Sequence, residues 1–154
     1  MLECVIFVGL PGAGKTTFYG QRFAATHRHV SKDLRPNAAG RDRRQQRAID
    51  DALGAGASVV VDNTNPTRAE RAAIVGIARA RGARIVGYFF DVTTRDAVAR
   101  NAGRAGREKV PNVAIFTVAK RLEAPMMAEG FDQLFRLRLQ PDRTFAIAET
   151  AGDE

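Results

Sequence analysis

Nine residues restrict what this chain can fold into more than any others do. They are Gly9-Leu10-Pro11-Gly12-Ala13-Gly14-Lys15-Thr16-Thr17, directly after the apolar run Cys4-Val5-Ile6-Phe7-Val8. The stretch satisfies G-x-x-x-x-G-K-[ST] at every fixed position. Its glycines let backbone N–H groups turn toward a polyphosphate without Cβ clashes. Lys15 is expected to reach the β- and γ-phosphates, and the Thr16 hydroxyl to join the coordination shell of a Mg²⁺ ion. Gly9, Pro11, Gly12, Ala13, Gly14, Lys15, Thr16 and Thr17 together form the expected site for ATP or another nucleoside triphosphate. A chance glycine turn would lack the flanks seen here, a β-rich run before the loop and a helix-like segment to residue 25 behind it.

Strand and helix signals then alternate to the end, which predicts an α/β fold with a parallel sheet flanked by helices. Strands are expected at 4–8, 29–31, 58–62 and 84–91. The apolar Val59-Val60-Val61 reads as a strand buried on both faces. Helices are expected at 15–25, at 41–53 (polar and Arg-rich), and from an Asn65 cap with Pro66 at its first position to about residue 81. Another runs from a Thr93 or Thr94 cap to about 101. At 112–123, Ile115, Val118, Ala119 and Leu122 form a core-facing helical stripe. Phe135, Leu137 and Leu139 alternate with Arg136 and Arg138, so residues 134–139 are expected at one edge of the sheet. Residues 1–140 read as the nucleotide-binding domain, and 141–154 as a tail with little signal.

At 154 residues, with 45% hydrophobic and 27% charged side chains, one soluble globular domain is expected. No window approaches the ~18 apolar residues that span a bilayer. The apolar N-terminus lacks the basic leader of a signal peptide. Cys4 is the single cysteine, so no intrachain disulfide is possible, and a cytoplasmic location is the expectation. The net charge of +7 favours an anionic partner. That inference is weakened because 20 of the 24 basic residues are Arg, a bias that coding composition alone can produce.

Ligands of parallel α/β sheets sit beyond the carboxyl ends of the strands. Besides the glycine loop, Ser31-Lys32-Asp33, Asp62-Asn63-Thr64-Asn65 and Asp91 fall there. Three carboxylates near a magnesium nucleotide would suit phosphoryl transfer to a hydroxyl. Asp33 is the candidate base, although its position fits a turn or cap aspartate equally well. Asp62 ends a buried strand, the place of a carboxylate that holds Mg²⁺. Arg104 and Arg107 lie on a basic loop, 103–109, that could close over a nucleotide or simply be solvated. Arg41, Arg43, Arg44 and Arg47 could track an acceptor backbone or face water. His27 and His29 have no metal-ligand spacing and receive no role.

These blocks carry a resemblance. The chain resembles the kinase domain of the 5′-hydroxyl polynucleotide kinases of bacteriophage and animals. The match runs through residues 9–17, Val-Ser-Lys-Asp at 30–33 and Val-Val-Asp-Asn-Thr-Asn-Pro at 60–66. It continues through Leu-Glu-Ala-Pro at 122–125 and Glu-Gly-Phe at 129–131. It spans about residues 3 to 139. The resemblance implies that Lys15 and Thr16 hold the triphosphate and Mg²⁺, that Asp33 is the general base, and that Arg104 is the lid arginine on the donor phosphates. Arg35 is the nearest match to the family's acceptor-contacting arginine. It stands two residues after Asp33, however, where the phage-type pattern has three. Lys32 stands where the family usually has Arg, and the family's D-x-D-x-[TV] phosphatase motif is absent, so a free-standing kinase is expected. The implied reaction moves the γ-phosphate of ATP to the 5′-hydroxyl of DNA or RNA. Rival expectations are a kinase of another hydroxyl (a small metabolite, an antibiotic, a sugar nucleotide or a hydroxymethylated base in DNA) and a nucleotide-binding NTPase with no acceptor.

Overall fold

The computed structural model describes residues 1–32, 40–106 and 109–150. The strands are β1 (Glu3–Gly9), β2 (Arg28–Val30), β3 (Val59–Val61), β4 (Arg84–Phe90), β5 (Gln133–Leu139) and β6 (Phe145–Glu149). Between them run the helices α1 (Lys15–Arg22), α2 (Arg41–Gly54), α3 (Arg68–Ala80), α4 (Thr94–Ala102) and α5 (Asn112–Arg121), with a 3₁₀ turn at Met127–Glu129. The order across the sheet is β2-β3-β1-β4-β5-β6. β1 sits in the interior with β3 and β4 parallel on either side, and β5 continues the parallel run.

Alternation along β1 divides the core. Cys4, Ile6 and Val8 join Val59, Val61 and Ile85 against Ile49 and Leu53 of α2 and Ile74 and Val75 of α3. Val5 and Phe7 face the other way, with Val60, Val86, Tyr88 and Phe90, onto Phe18 of α1, Ala97 of α4 and Ile115 of α5. Phe7 is the hub of that layer, with its ring centroid 5.1–6.1 Å from those of Phe18, Phe23, Tyr88 and Phe90. A strand segment covered on both faces must be apolar, as Cys4–Val8 of β1 and all of β3 are.

Two expectations change. The sheet does not end at residues 134–139, because β6 pairs antiparallel with β5 through Leu137–Ile147 and Leu139–Phe145 and becomes the edge. Phe-Ala-Ile-Ala-Glu gives only a weak period-2 pattern because most of β6 is exposed. Asn65 does not cap α3 either. Thr67 is the cap, and its Oγ1 accepts from the Glu70 N–H at 3.2 Å. Asn65 is instead buried at φ +42°, a left-handed conformation that asparagine tolerates better than most residues. Its amide donates to the Phe7 carbonyl at 2.8 Å. Among the described residues no helix is long and apolar enough to cross a membrane.

Candidate active site

The glycine loop joins β1 to α1, and it has the shape its composition predicts. Gly12 and Gly14 hold φ values of +82° and +95°. A Cβ on Gly12 would lie 2.8 Å from the Ala97 carbonyl oxygen, and one on Gly14 would lie 2.8 Å from the Arg100 guanidinium. Gly14 precedes the first turn of α1 without a side-chain cap, so N–H groups of that turn point out of the helix end, where anions bind. Lys15 is buried, and its Nζ donates to the carbonyls of Gly9 at 3.0 Å and Leu10 at 2.7 Å.

Asp62 follows the last residue of β3 and is 4% exposed. Its Oδ2 accepts from Thr16 Oγ1 at 2.9 Å and lies 2.8 Å from His29 Nε2. A hydroxyl and a carboxylate side by side form a hard, all-oxygen donor set that fits Mg²⁺. Among the described residues no group of three or more His, Cys, Asp or Glu gathers to hold a metal. An ion here would therefore rely on nucleotide phosphates and water for its remaining ligands.

The turn after Asp62 ties the site together. Thr64 O accepts from the Gly9 N–H at 3.0 Å. Asn63 Oδ1 accepts from the Lys32 N–H at 2.8 Å and from Ser31 Oγ at 3.3 Å, and Asn63 Nδ2 donates to Gln45 of α2. The carbonyl of Asn65 accepts from Arg71 Nη1 at 2.9 Å. Arg71, fully buried, also grips Glu129 through Nε at 2.8 Å and Nη2 at 3.0 Å.

On the opposite side α4 brings Arg100 over the loop, where Nε donates to the Gly12 carbonyl at 3.0 Å. The guanidinium lies 5.9 Å from the Phe145 ring, and Phe145 would meet a Cβ on Gly14 at 3.1 Å. Burial lowers the Arg100 pKa, and the nearby positive charges of Arg104 and Arg143 push it the same way. A polyanion bound at the loop would offset the positive charge acting on Arg100. Asn101, also buried, closes the base of the 103–109 loop by donating to Val110 O at 2.6 Å and accepting from Val110 N–H at 3.0 Å.

Of the residues expected from sequence, the loop, Lys15, Thr16 and Asp62 come together, while Arg104 is linked to them through its charge on Arg100. Asp33, Arg35 and Arg107 lie outside the described residues. Asp91 does not join them, because its carboxylate turns toward the β5 edge, 2.8 Å from Arg136 Nε and 3.6 Å from Arg138 Nε. The site also includes His29, Arg100 and Phe145, which the sequence pattern does not single out. Arg100 reads from sequence as a basic residue in the last turn of a helix. His29 has no metal-ligand spacing to mark it, and nothing local marks Phe145.

Beyond β2 a cleft of about 420 Å³ opens, lined by His29, Ser31, Lys32, Gln45 and the exposed face of α2 with Arg41, Arg44 and Arg47. Lys32 pairs there with Asp42 at 2.7 Å, which holds the Asp42 carboxyl below its ordinary range chiefly through the Lys32 hydrogen bond.

The chain resembles a sugar kinase from Janibacter sp. HTCC2649, with a TM-score of 0.68 and 19% identity over 92% of this chain and 88% of that one. It also resembles the Mycobacterium tuberculosis APS kinase CysC, solved with AMPPNP and APS, with a TM-score of 0.60 and 18% identity over 93% and 90%. The AvrRxo1-ORF1:-ORF2 structure with ATP gives a TM-score of 0.74 at 13% identity, over 96% of this chain and 57% of that one. These likenesses show the P-loop kinase fold. Residues 4–125 match the AAA_33 model, described as an AAA domain, and the chain belongs to that family.

Proposed function

We propose that this protein is an ATP-dependent kinase that phosphorylates a hydroxyl, and that the acceptor is the 5′-hydroxyl end of DNA or RNA. The basic cleft beside the phosphate loop carries this reading. Lys32, Arg41, Arg44 and Arg47 line it, with Lys32 paired to Asp42. A neutral sugar would gain little from the three arginines, whereas a nucleic-acid end brings its own phosphates. The sequence blocks shared with the polynucleotide kinases support the same acceptor.

In this reading the loop amides and Lys15 bind the triphosphate, with Thr16 and Asp62 holding Mg²⁺, which neutralises charge on the β- and γ-oxygens when bound. Arg104 and Arg100 stabilise the transferring phosphoryl group. Asp33 takes the acceptor proton while the acceptor oxygen bonds to the γ-phosphorus and the bond from that phosphorus to the β–γ bridging oxygen breaks, releasing ADP. Arg35 contacts the acceptor. A second reading draws on cleft size, since about 420 Å³ also suits a small phosphorylated metabolite.

The test uses Mg²⁺, γ-labelled ATP and a panel of 5′-hydroxyl and 5′-phosphate oligonucleotides of DNA and RNA, nucleosides and sugar phosphates, with Asp33→Ala as control. Label only on 5′-hydroxyl ends, lost in Asp33→Ala, supports the proposal. Label on a small molecule moves the acceptor to the second reading. ATP hydrolysis that is indifferent to Asp33→Ala and to every acceptor overturns the kinase assignment.

A further inference from the structure

His29 is held from two sides. Its Nε2 lies 2.8 Å from Asp62 Oδ2. Its ring also stacks on Tyr19 of α1, with centroids 4.3 Å apart and planes inclined by 28°. Tyr19 is fixed in turn, because its hydroxyl donates to the His27 carbonyl at 2.6 Å. An ionised carboxylate only accepts hydrogen bonds, so the imidazole nitrogen facing it is the donor. Asp62 is almost wholly buried, and a buried carboxylate needs such donors. Thr16 supplies one, but Thr16 is also the hydroxyl expected at the metal. His29 is the donor that approaches from β2, outside the phosphate loop.

We propose that His29 is a positioning residue for the magnesium–nucleotide complex. By donating to Asp62 while stacked on Tyr19, it fixes the direction in which that carboxylate faces the cation beside Thr16. The inference rests on the reading of this site as a Mg²⁺–nucleotide site, and it is independent of the acceptor. Hydrogen-bond partners of metal-ligating carboxylates act this way in general, and losing one costs roughly 10–100-fold in metal affinity.

The experiment measures binding of a fluorescent N-methylanthraniloyl ATP to the full chain while Mg²⁺ is titrated. It also measures binding in EDTA and records thermal melting of every variant. His29→Leu is expected to raise the Mg²⁺ midpoint about tenfold or more while leaving nucleotide binding in EDTA unchanged. His29→Gln, whose amide nitrogen can donate to the same oxygen, is expected to recover most of the shift. Tyr19→Leu keeps the histidine but removes its stacking partner, and serves if His29→Leu does not fold; it should move the midpoint in the same direction. A His29→Leu midpoint within twofold of wild type overturns the proposal. So does equal loss in the Leu and Gln variants with weakened binding in EDTA, because that marks a structural role alone. Wild-type protein whose nucleotide binding ignores Mg²⁺ overturns the underlying site reading itself, an outcome distinct from the other two.

Discussion

Replacing Arg71 by methionine strands the Glu129 carboxylate. The arginine is fully buried, and three of its N–H groups are spent on Glu129 Oε1, Glu129 Oε2 and the Asn65 carbonyl, at 2.8–3.0 Å. The Glu129 side chain is only 10% exposed, so water cannot replace what is lost. Breaking a buried pair on one side costs about 3–5 kcal/mol. At roughly 2–4 °C per kcal/mol for a chain of this size, the melting temperature should fall by about 6–20 °C. Glu129 Oε2 also accepts from the Met126 N–H at 2.9 Å, so Glu129→Leu carries its own cost of an unpaired amide. The double variant Arg71→Met/Glu129→Leu should nevertheless be less destabilised than the sum of the singles, since no charge is left buried. Urea and thermal unfolding of the four proteins close the cycle. A cost below about 1 kcal/mol for Arg71→Met, or strict additivity, would refute the claim that a desolvated charge is at stake.

Gly12→Ala and Gly14→Ala both place a Cβ in left-handed backbone, at a cost of about 1–2 kcal/mol. Gly12→Ala should lower the melting temperature more, because its Cβ meets the Ala97 backbone carbonyl whereas that of Gly14 meets the movable end of Arg100; the reverse order would count against this packing. Burial pushes the Cys4 thiol up to about 12, so Ellman's reagent at pH 8 should label it only on addition of denaturant, and rapid labelling of native protein would contradict the buried strand. The Asp42 and Asp50 carboxyls lie below their ordinary pKa, held first by hydrogen bonds from Lys32 and Arg81. Their contributions are present above the ordinary carboxylate range and vanish as pH falls through the lowered values, below about pH 4. Asp50→Asn should therefore cost stability at pH 7 but not at pH 2, as read by urea midpoints.

The parallel architecture was legible because Cys4–Val8 of β1 and all of β3 are apolar and the glycine motif allows few alternatives. The candidate site was legible where one residue type has one use, as with Lys15 and Thr16. It was illegible where a role depends on chain crossing. His29 reads as a polar strand residue until β3 brings Asp62 alongside. Asp91 reads as a site carboxylate until β5 brings Arg136. The Glu-Gly-Phe block at 129–131 looked like part of a functional signature, yet its contacts are architectural. Glu129 neutralises Arg71, and the Phe131 ring fills the space above Gly87, where a Cβ would lie 2.7 Å from it. The Asp-Asn-Thr-Asn-Pro block divides similarly. Asp62 and Asn63 face the site, while Asn65 secures the turn from below.

The ring of Phe145 against Gly14 has a consequence for how the molecule is assembled. The phosphate loop and the strand that supplies its cover stand about 130 residues apart in the chain. The neighbours of β1 arrive in between, β3 from residue 59 and β4 from residue 84. Such non-local parallel pairings are slow to form because loop-closure entropy is lost before contacts are gained. Nucleotide binding should therefore appear late in refolding, after the sheet has formed, with the loop acquiring its working shape only when β6 returns to it.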